Sequence, residues 1–253
     1  MGTYRNFLSR ACLPGLVLGS ALLMTGCPNP NTYGTPRTTP KGKISHSVAA
    51  EWLGVTFEER ISEQAGATDD TTSVSTSVVA PPTYTIRLGV ADNMDVGLRA
   101  ANMSALGFDF KYNFLRSESF DLAIDPGVQW LNVGFNVFHV HVPVLLGINL
   151  SPHMSIVATP GIMYGITSVS SGDEEFDKEL DQFLSTDGIY GRLGVGIDFR
   201  FSRKFAIHPE ITFLRGFEKD DTSVVQSAMT YMFGIGFNFG NLPDFGIDGG
   251  EAE

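Results

Sequence analysis

From about residue 44 onward, apolar residues alternate with polar or small ones at a period of two. In "LGFDFKYNF" (106–114), Phe108, Phe110, Tyr112 and Phe114 fall on one side, and Asp109, Lys111 and Asn113 on the other. Successive side chains of a β-strand point to opposite faces, so this pattern demands sheet rather than helix. "GRLGVGIDFRF" (191–201) repeats the design, with Leu193, Val195, Ile197, Phe199 and Phe201 opposite Gly194, Gly196, Asp198 and Arg200. "MFGIGFNF" (232–239) does so again through Phe233, Ile235, Phe237 and Phe239. No window of 18 apolar residues occurs in this region, so it holds no helix of membrane-spanning length. The alternation predicts about ten strands: 46–58, 83–91, 95–102, 104–115, 119–131, 137–150, 153–168, 188–201, 204–216 and 226–239.

The connections sort by parity. Those at 91–95, 115–119, 150–154 and 201–205 are tight, whereas the other set includes the long polar stretches 59–82, 168–187 and 217–225. A soluble Greek-key sandwich has no reason for such sorting, but a membrane barrel does, with short turns at one rim and long loops at the other. With 18% charged residues the chain also falls below the roughly 25% usual in soluble domains. Residues 44–239 therefore resemble the small outer-membrane β-barrels of Gram-negative bacteria. The fold expected is all-β, an antiparallel up-and-down transmembrane barrel of about ten strands, with eight as the alternative. The resemblance implies an outer-membrane location and a final strand read by the barrel-assembly machinery through Gly234, Phe237 and Phe239. One departure is the acidic extension "GNLPDFGIDGGEAE" (240–253), since the family usually ends on the last Phe.

The front of the chain reads differently. Arg5 and Arg10 precede the apolar run 13–24, which is the length of a signal peptide, and residues 1–26 are assigned to it. Met24-Thr25-Gly26-Cys27 resembles the bacterial lipobox, which makes Cys27 an acylated first residue of the mature chain. Cleavage there removes two arginines and no acid, shifting the formal charge from −11 to −13. Pro28, rather than Asp, follows the cysteine, and by analogy with known sorting rules this favours export to the outer membrane. Residues 28–43, "PNPNTYGTPRTTPKGK", show no apolar periodicity and read as an extended tether after the lipidated Cys27. Both ends of the barrel, and with them the N- and C-termini, are then expected in the periplasm.

If the large apolar residues face lipid, their neighbours face the lumen. Parity assigns Arg87, Arg99, Lys111, Arg192 and Arg200 to the interior, together with Asp109, Asp121, Asp125, Asp198 and Glu210. Ten strands enclose a narrow interior. Five charges of each sign in that space are expected to pair and plug it, because unpaired charge in a low-dielectric wall is costly. A lipocalin-like soluble barrel would need the opposite parity and would put these ten charges on its surface.

Other chemistry is weaker. The strong negative charge excludes nucleic acid as a partner. Cys12 and Cys27 both lie at the front, which leaves the body without disulfides or thiolate ligands. His139 and His141 share a strand face, and His208 with Glu210 forms a second such pair, but the two strands are three apart in order. His153 and Ser155 supply two members of a lipid-modifying triad in a tight turn, away from an outer-leaflet substrate. Residues 170–188 show apolar residues at helical spacing, with Ser171 and Glu174 as a capping box, and acids that could meet cations bridging lipopolysaccharide. The expectation is a lipid-anchored barrel with a charge-plugged lumen and a structural or surface-interaction role. It is expected to be no enzyme, to need no cofactor or metal, and to partner outer-membrane lipid and lipopolysaccharide. A small-molecule transport barrel is the alternative, and an outer-membrane hydrolase the third choice.

Overall fold

The computed structural model describes residues 29–60, 71–132, 135–169, 187–217 and 229–243. The stretch 1–26 read as a signal segment, Cys27, the 170–186 stretch expected to hold a capping box, and 244–253 of the acidic tail lie outside them.

Eleven strand segments build the wall: β1 (Ile44–Arg60), β2 (Thr71–Ala91), β3 (Met94–Ala101), β4 (Ala105–Arg116), β5 (Phe120–Ile124), β6 (Gly127–Asn132), β7 (Phe135–Ser151), β8 (Met154–Val169), β9 (Gly188–Ser202), β10 (Phe205–Gly216) and β11 (Met229–Gly240). Every pairing is between antiparallel neighbours, and β1 pairs with β11, so the sheet closes on itself. β5 and β6 both lie between β4 and β7 and fill one position, which makes this a ten-stranded barrel. The break between them falls at Asp125-Pro126, where proline has no N–H for the ladder. Phe110 N–H still donates to the Pro126 carbonyl across the gap, at 2.9 Å.

Closure removes both sheet edges. The alternation then divides the wall into two faces. On β4, Asp109, Lys111 and Asn113 are buried while Phe108, Tyr112 and Phe114 are exposed. The outward face is apolar all round, with Leu98, Val128, Ile162 and Val195 between aromatic residues toward the tight turns (Phe114, Phe120, Phe205) and toward the long loops (Trp52, Trp130, Phe213). Burial is inverted relative to a soluble protein: most of the buried residues are polar or charged.

Three expectations change. β2 begins at Thr71 rather than 83, pairing with β1 as far as Arg60↔Thr71, so the connection read as 59–82 shrinks to 61–70. The register shifts near Pro81-Pro82, where the pair interrupts the ladder and hides the continuation from a sequence reading. Most of the tether expected at 28–43 is not solvated either: from Asn29 to Thr39 nine of eleven residues are buried, Thr32 and Gly34 being half-buried, and this part runs inside the ring of strands, while 40–43 are exposed. Finally, the described parts of the chain nearest its two ends lie at different heights in the barrel. Ile44 and Gly240 lie at the tight-turn rim, but Asn29 lies deep in the lumen toward the opposite rim, bonded to Thr83 and Gln129.

Candidate functional site: the barrel interior

The interior is organised around the strap, residues 29–40, which leaves β1 at the tight-turn rim and runs up the lumen. Lys41 bridges Gly89 on β2 at that rim. An irregular chain with no strand beside it must satisfy its backbone elsewhere, and here wall side chains do so. Carbonyls alternate along the strap: Asn29 O accepts from Gln129 Nε2 (3.0 Å), Asn31 O from Arg99 Nη1 (2.8 Å), Tyr33 O from Asn238 Nδ2 (2.9 Å) and Thr35 O from Lys111 Nζ (3.0 Å). Asn113 Nδ2 then donates to Pro36 O at 3.1 Å. The N–H groups of Thr32 and Tyr33 donate to Glu210 at 3.0 and 2.7 Å, and that of Thr39 to Asp95 at 2.7 Å.

Two charged layers result. Near the tight turns, Arg87 meets Asp95 (2.7 Å), Asp109 (2.5 Å) and Asp125 (3.1 Å), an ion-pair cluster made by the wall alone. Beside it, Asp121 is held by Arg37 of the strap at 2.7 Å and by Asn149 at 2.7 Å. Higher up, Glu51 accepts from Tyr33 Oη (2.6 Å), Asn29 Nδ2 (2.5 Å) and Thr83 Oγ1 (2.7 Å), and Glu210 accepts the strap N–H groups and Thr212 Oγ1 (3.2 Å). These carboxylates are fully buried and stabilised by hydrogen bonds from neutral donors, an arrangement that works only while the strap is in place.

All ten charges assigned to the lumen by parity do point inward, Arg200 with 8% side-chain exposure and Arg87 with 12%. Their partners differ from the expected wall-to-wall pairing. Within the ten, Arg87 binds Asp109 and Asp125, and Arg200 Nη2 approaches Asp198 at 3.5 Å. Arg99, Lys111, Asp121 and Glu210 turn to the strap, and Arg192 donates to Thr159 Oγ1 at 3.1 Å. The balance also changes: Glu51 and Asp95 join the wall and Arg37 comes from the strap, giving seven buried acids to six bases among the described residues. Glu51 and Asp95 share the inward parity of Ser45 and Arg99, so the rule that found the ten could have found them.

Small residues make the room. A Cβ at Gly234 would lie 2.0 Å from Tyr33 Oη and one at Gly236 2.7 Å from Tyr33 Cβ. At Gly147 it would meet Pro36 at 2.9 Å. Gly234, read from the sequence as part of an assembly signal with outward-facing Phe237 and Phe239, thus also seats the strap. Among the described residues, a cavity of about 50 Å3 is bordered by Thr35, Arg37, Ser47, Arg87 and Arg200, beside the strap.

The histidines do not assemble. His139 and His141 lie on β7, where His141 packs against Gly127, while His208 sits on β10 with Nδ1 3.5 Å from Asp198 and Nε2 3.7 Å from Glu210. His153 is exposed in the β7–β8 turn near Arg200 O (3.2 Å), whereas Ser155 is buried and donates to Ile148 O (3.2 Å).

No family profile matches this sequence, and no curated protein matches it. Solved structures do resemble it in outline. The outer-membrane protein Ail of Yersinia pestis in a phospholipid nanodisc is 16% identical, covering 79% of this chain and all of its own, with a TM-score of 0.34. The N-terminal β-barrel domain of Pseudomonas aeruginosa OprF is 10% identical over 79% of this chain and 98% of its own, at 0.33. The outer-membrane protease OmpT of Escherichia coli is 7% identical over 85% of this chain and 99% of its own, at 0.40. At such identity and superposition, the likeness says nothing about what this barrel does.

Proposed function

We propose that this chain is an integral outer-membrane barrel, closed by its own N-terminal strap and lipid-anchored through Cys27, with a structural or surface-interaction role. The observation that carries the reading is the interior: among the described residues, the strap bonds to side chains of β1, β2, β3, β4, β6, β10 and β11 and so runs through the middle of the lumen. A strap along the lumen, tied to the wall at each level, supports a closed interior over an open aqueous path. The apolar outward face with aromatic residues toward both rims supports lipid as its surroundings. By the rule that sorts short turns from long loops, the tight-turn rim faces the periplasm. Its partners are outer-membrane lipid and lipopolysaccharide, with the assembly machinery engaging β11 through Gly234, Phe237 and Phe239. The role is not catalytic.

The test is planar-bilayer recording of the purified full-length protein. No steady conductance is expected from the wild type, and reproducible single-channel steps would overturn the closed-lumen reading. Migration on a gel before and after heating tests membrane insertion separately, since a folded barrel runs faster unheated.

A further inference from the structure

The direction of the strap fixes where the chain's N-terminus emerges. Contacts climb steadily from the tight-turn rim: Lys41 with Gly89, Arg37 with Ser117 O, Pro36 with Asn113, Tyr33 with Glu51 and Glu210, Asn29 with Thr83 and Gln129. The upper end is well located. Asn29 Nδ2 donates to Thr83 Oγ1 at 2.7 Å, and that same hydroxyl accepts from the backbone N–H of Asn102, in the turn joining β3 and β4 at the loop rim, at 3.0 Å. Measured on β2, the strap climbs from Gly89 beside Lys41 to Thr83 beside Asn29, about 20 Å along the strand.

Below Asn29 the lumen is occupied by residues 31–40, held to the wall by the bonds given above. Above Asn29 lies the loop rim, and among the described residues that rim is low on one side. β3 and β4 pair only as far as Ala101↔Ala105, while β1 and β2 continue together past Thr83 to Arg60↔Thr71. Asn29 lies at this saddle, whose outward side presents Leu98, Met103 and Leu106, each at least 60% exposed.

We infer that the chain is threaded through its own barrel, so that its N-terminus leaves at the long-loop rim over the β3–β4 saddle. Cys27, two residues before Asn29, is held by covalent geometry within about 7 Å of it. On the orientation and acylation of the proposed function, an acyl group on Cys27 is therefore a surface lipid, entering the leaflet that faces the loops rather than the periplasmic leaflet. The barrel must also close around the strap during folding, because an acylated end is too bulky to be drawn through a finished lumen.

The test places one epitope in the full-length chain at three positions: directly after Pro28, in the β7–β8 turn after Pro152, and within 61–70. Antibody labelling is compared on intact and permeabilised cells, each variant first shown to migrate as a folded barrel. The expected result is that the epitope after Pro28 behaves as the one within 61–70; grouping with the turn epitope overturns the threading. The two reference sites report orientation independently, so an inverted or uninserted barrel fails there without deciding the threading. Should the insertion prevent folding, a Pro28→Cys substitution in the otherwise unchanged chain, labelled with an impermeant maleimide, reads the same question without added bulk, since the acylated sulfur of Cys27 is a thioether and does not react. Labelling on intact cells supports the inference, and labelling only after permeabilisation overturns it. Incorporation of a clickable fatty acid into the wild type, lost in Cys27→Ser, tests acylation on its own, and its absence would remove the lipid half of the inference while leaving the threading.

Discussion

The two charged layers of the lumen are built on different plans. Near the tight turns, Arg87 gathers Asp95, Asp109 and Asp125, all four from strands of the wall. Toward the loops, Glu51 and Glu210 have no guanidinium of that kind and are stabilised mainly by the strap's own amide, hydroxyl and N–H groups. The Arg87 cluster of the lower layer closes its ion pairs within the wall, with Asp95 and Asp121 taking further donors from the strap, whereas in the upper layer the strap supplies most of the donors. The strap therefore completes the upper layer and reinforces the lower one. Charge follows the same division: the described wall carries seven buried acids and five bases, a balance of −2, which Arg37 of the strap brings to −1.

Deleting residues 29–39 should give the largest effect, because it empties the lumen and leaves that −2 balance. The deletion protein is expected to conduct in planar bilayers with cation selectivity, seen as a reversal potential under a salt gradient. A silent deletion protein that still migrates as a folded barrel would show that the wall collapses into the space. Next in size is Arg87→Ala, which leaves three buried aspartates facing one another. Breaking a buried cluster by removing one partner costs about 3–5 kcal/mol, read as an earlier loss of the fast-migrating form on a heating series. If Arg87→Ala proves milder than changes in the upper layer, the claim that the Arg87 cluster closes within the wall is wrong.

Gly236→Leu should displace Tyr33 from the wall, with an overpacking cost of about 1–3 kcal/mol. Its expected signature is intermittent conductance, since the upper strap loses its seat while the Arg87 cluster stays intact. Tyr33→Phe is the finest probe. It removes the 2.6 Å bond to Glu51 but leaves Asn29 and Thr83 on the carboxylate, so the loss should be on the order of 1.5 kcal/mol without any conductance. The same heating series measures it, and an unchanged midpoint would mean that Glu51 does not depend on the strap's phenol.

Much of the wall could be read from the chain. The alternation in 106–114 and 191–201 gave the faces of β4 and β9, and the tight turns gave the sequential pairing. Two kinds of feature escaped. The start of β2 is a run of Ser, Thr and Val, whose small and β-branched residues offer little apolar–polar contrast, and it is followed by a proline pair that reads as a break. The strap escaped for a deeper reason: Pro, Asn, Thr and Gly suit a solvated linker and a lumen-filling chain equally well, because both are surrounded by polar groups on every side. The inward glycines at 147, 234 and 236 were a usable signal, since small residues on the lumen face leave space for something else to fill.

The sequence by itself determined the wall and which charges face inward, because period two is a local property that each strand carries within its own dozen residues. What the lumen holds was decided by tertiary structure alone. Asn29 meets Gln129 across 100 residues, Tyr33 meets Glu210 across 177, and Asn238 reaches Tyr33 across 205. Such contacts leave no periodic trace in the chain, and they come into being only when the closing barrel brings distant strands around one segment.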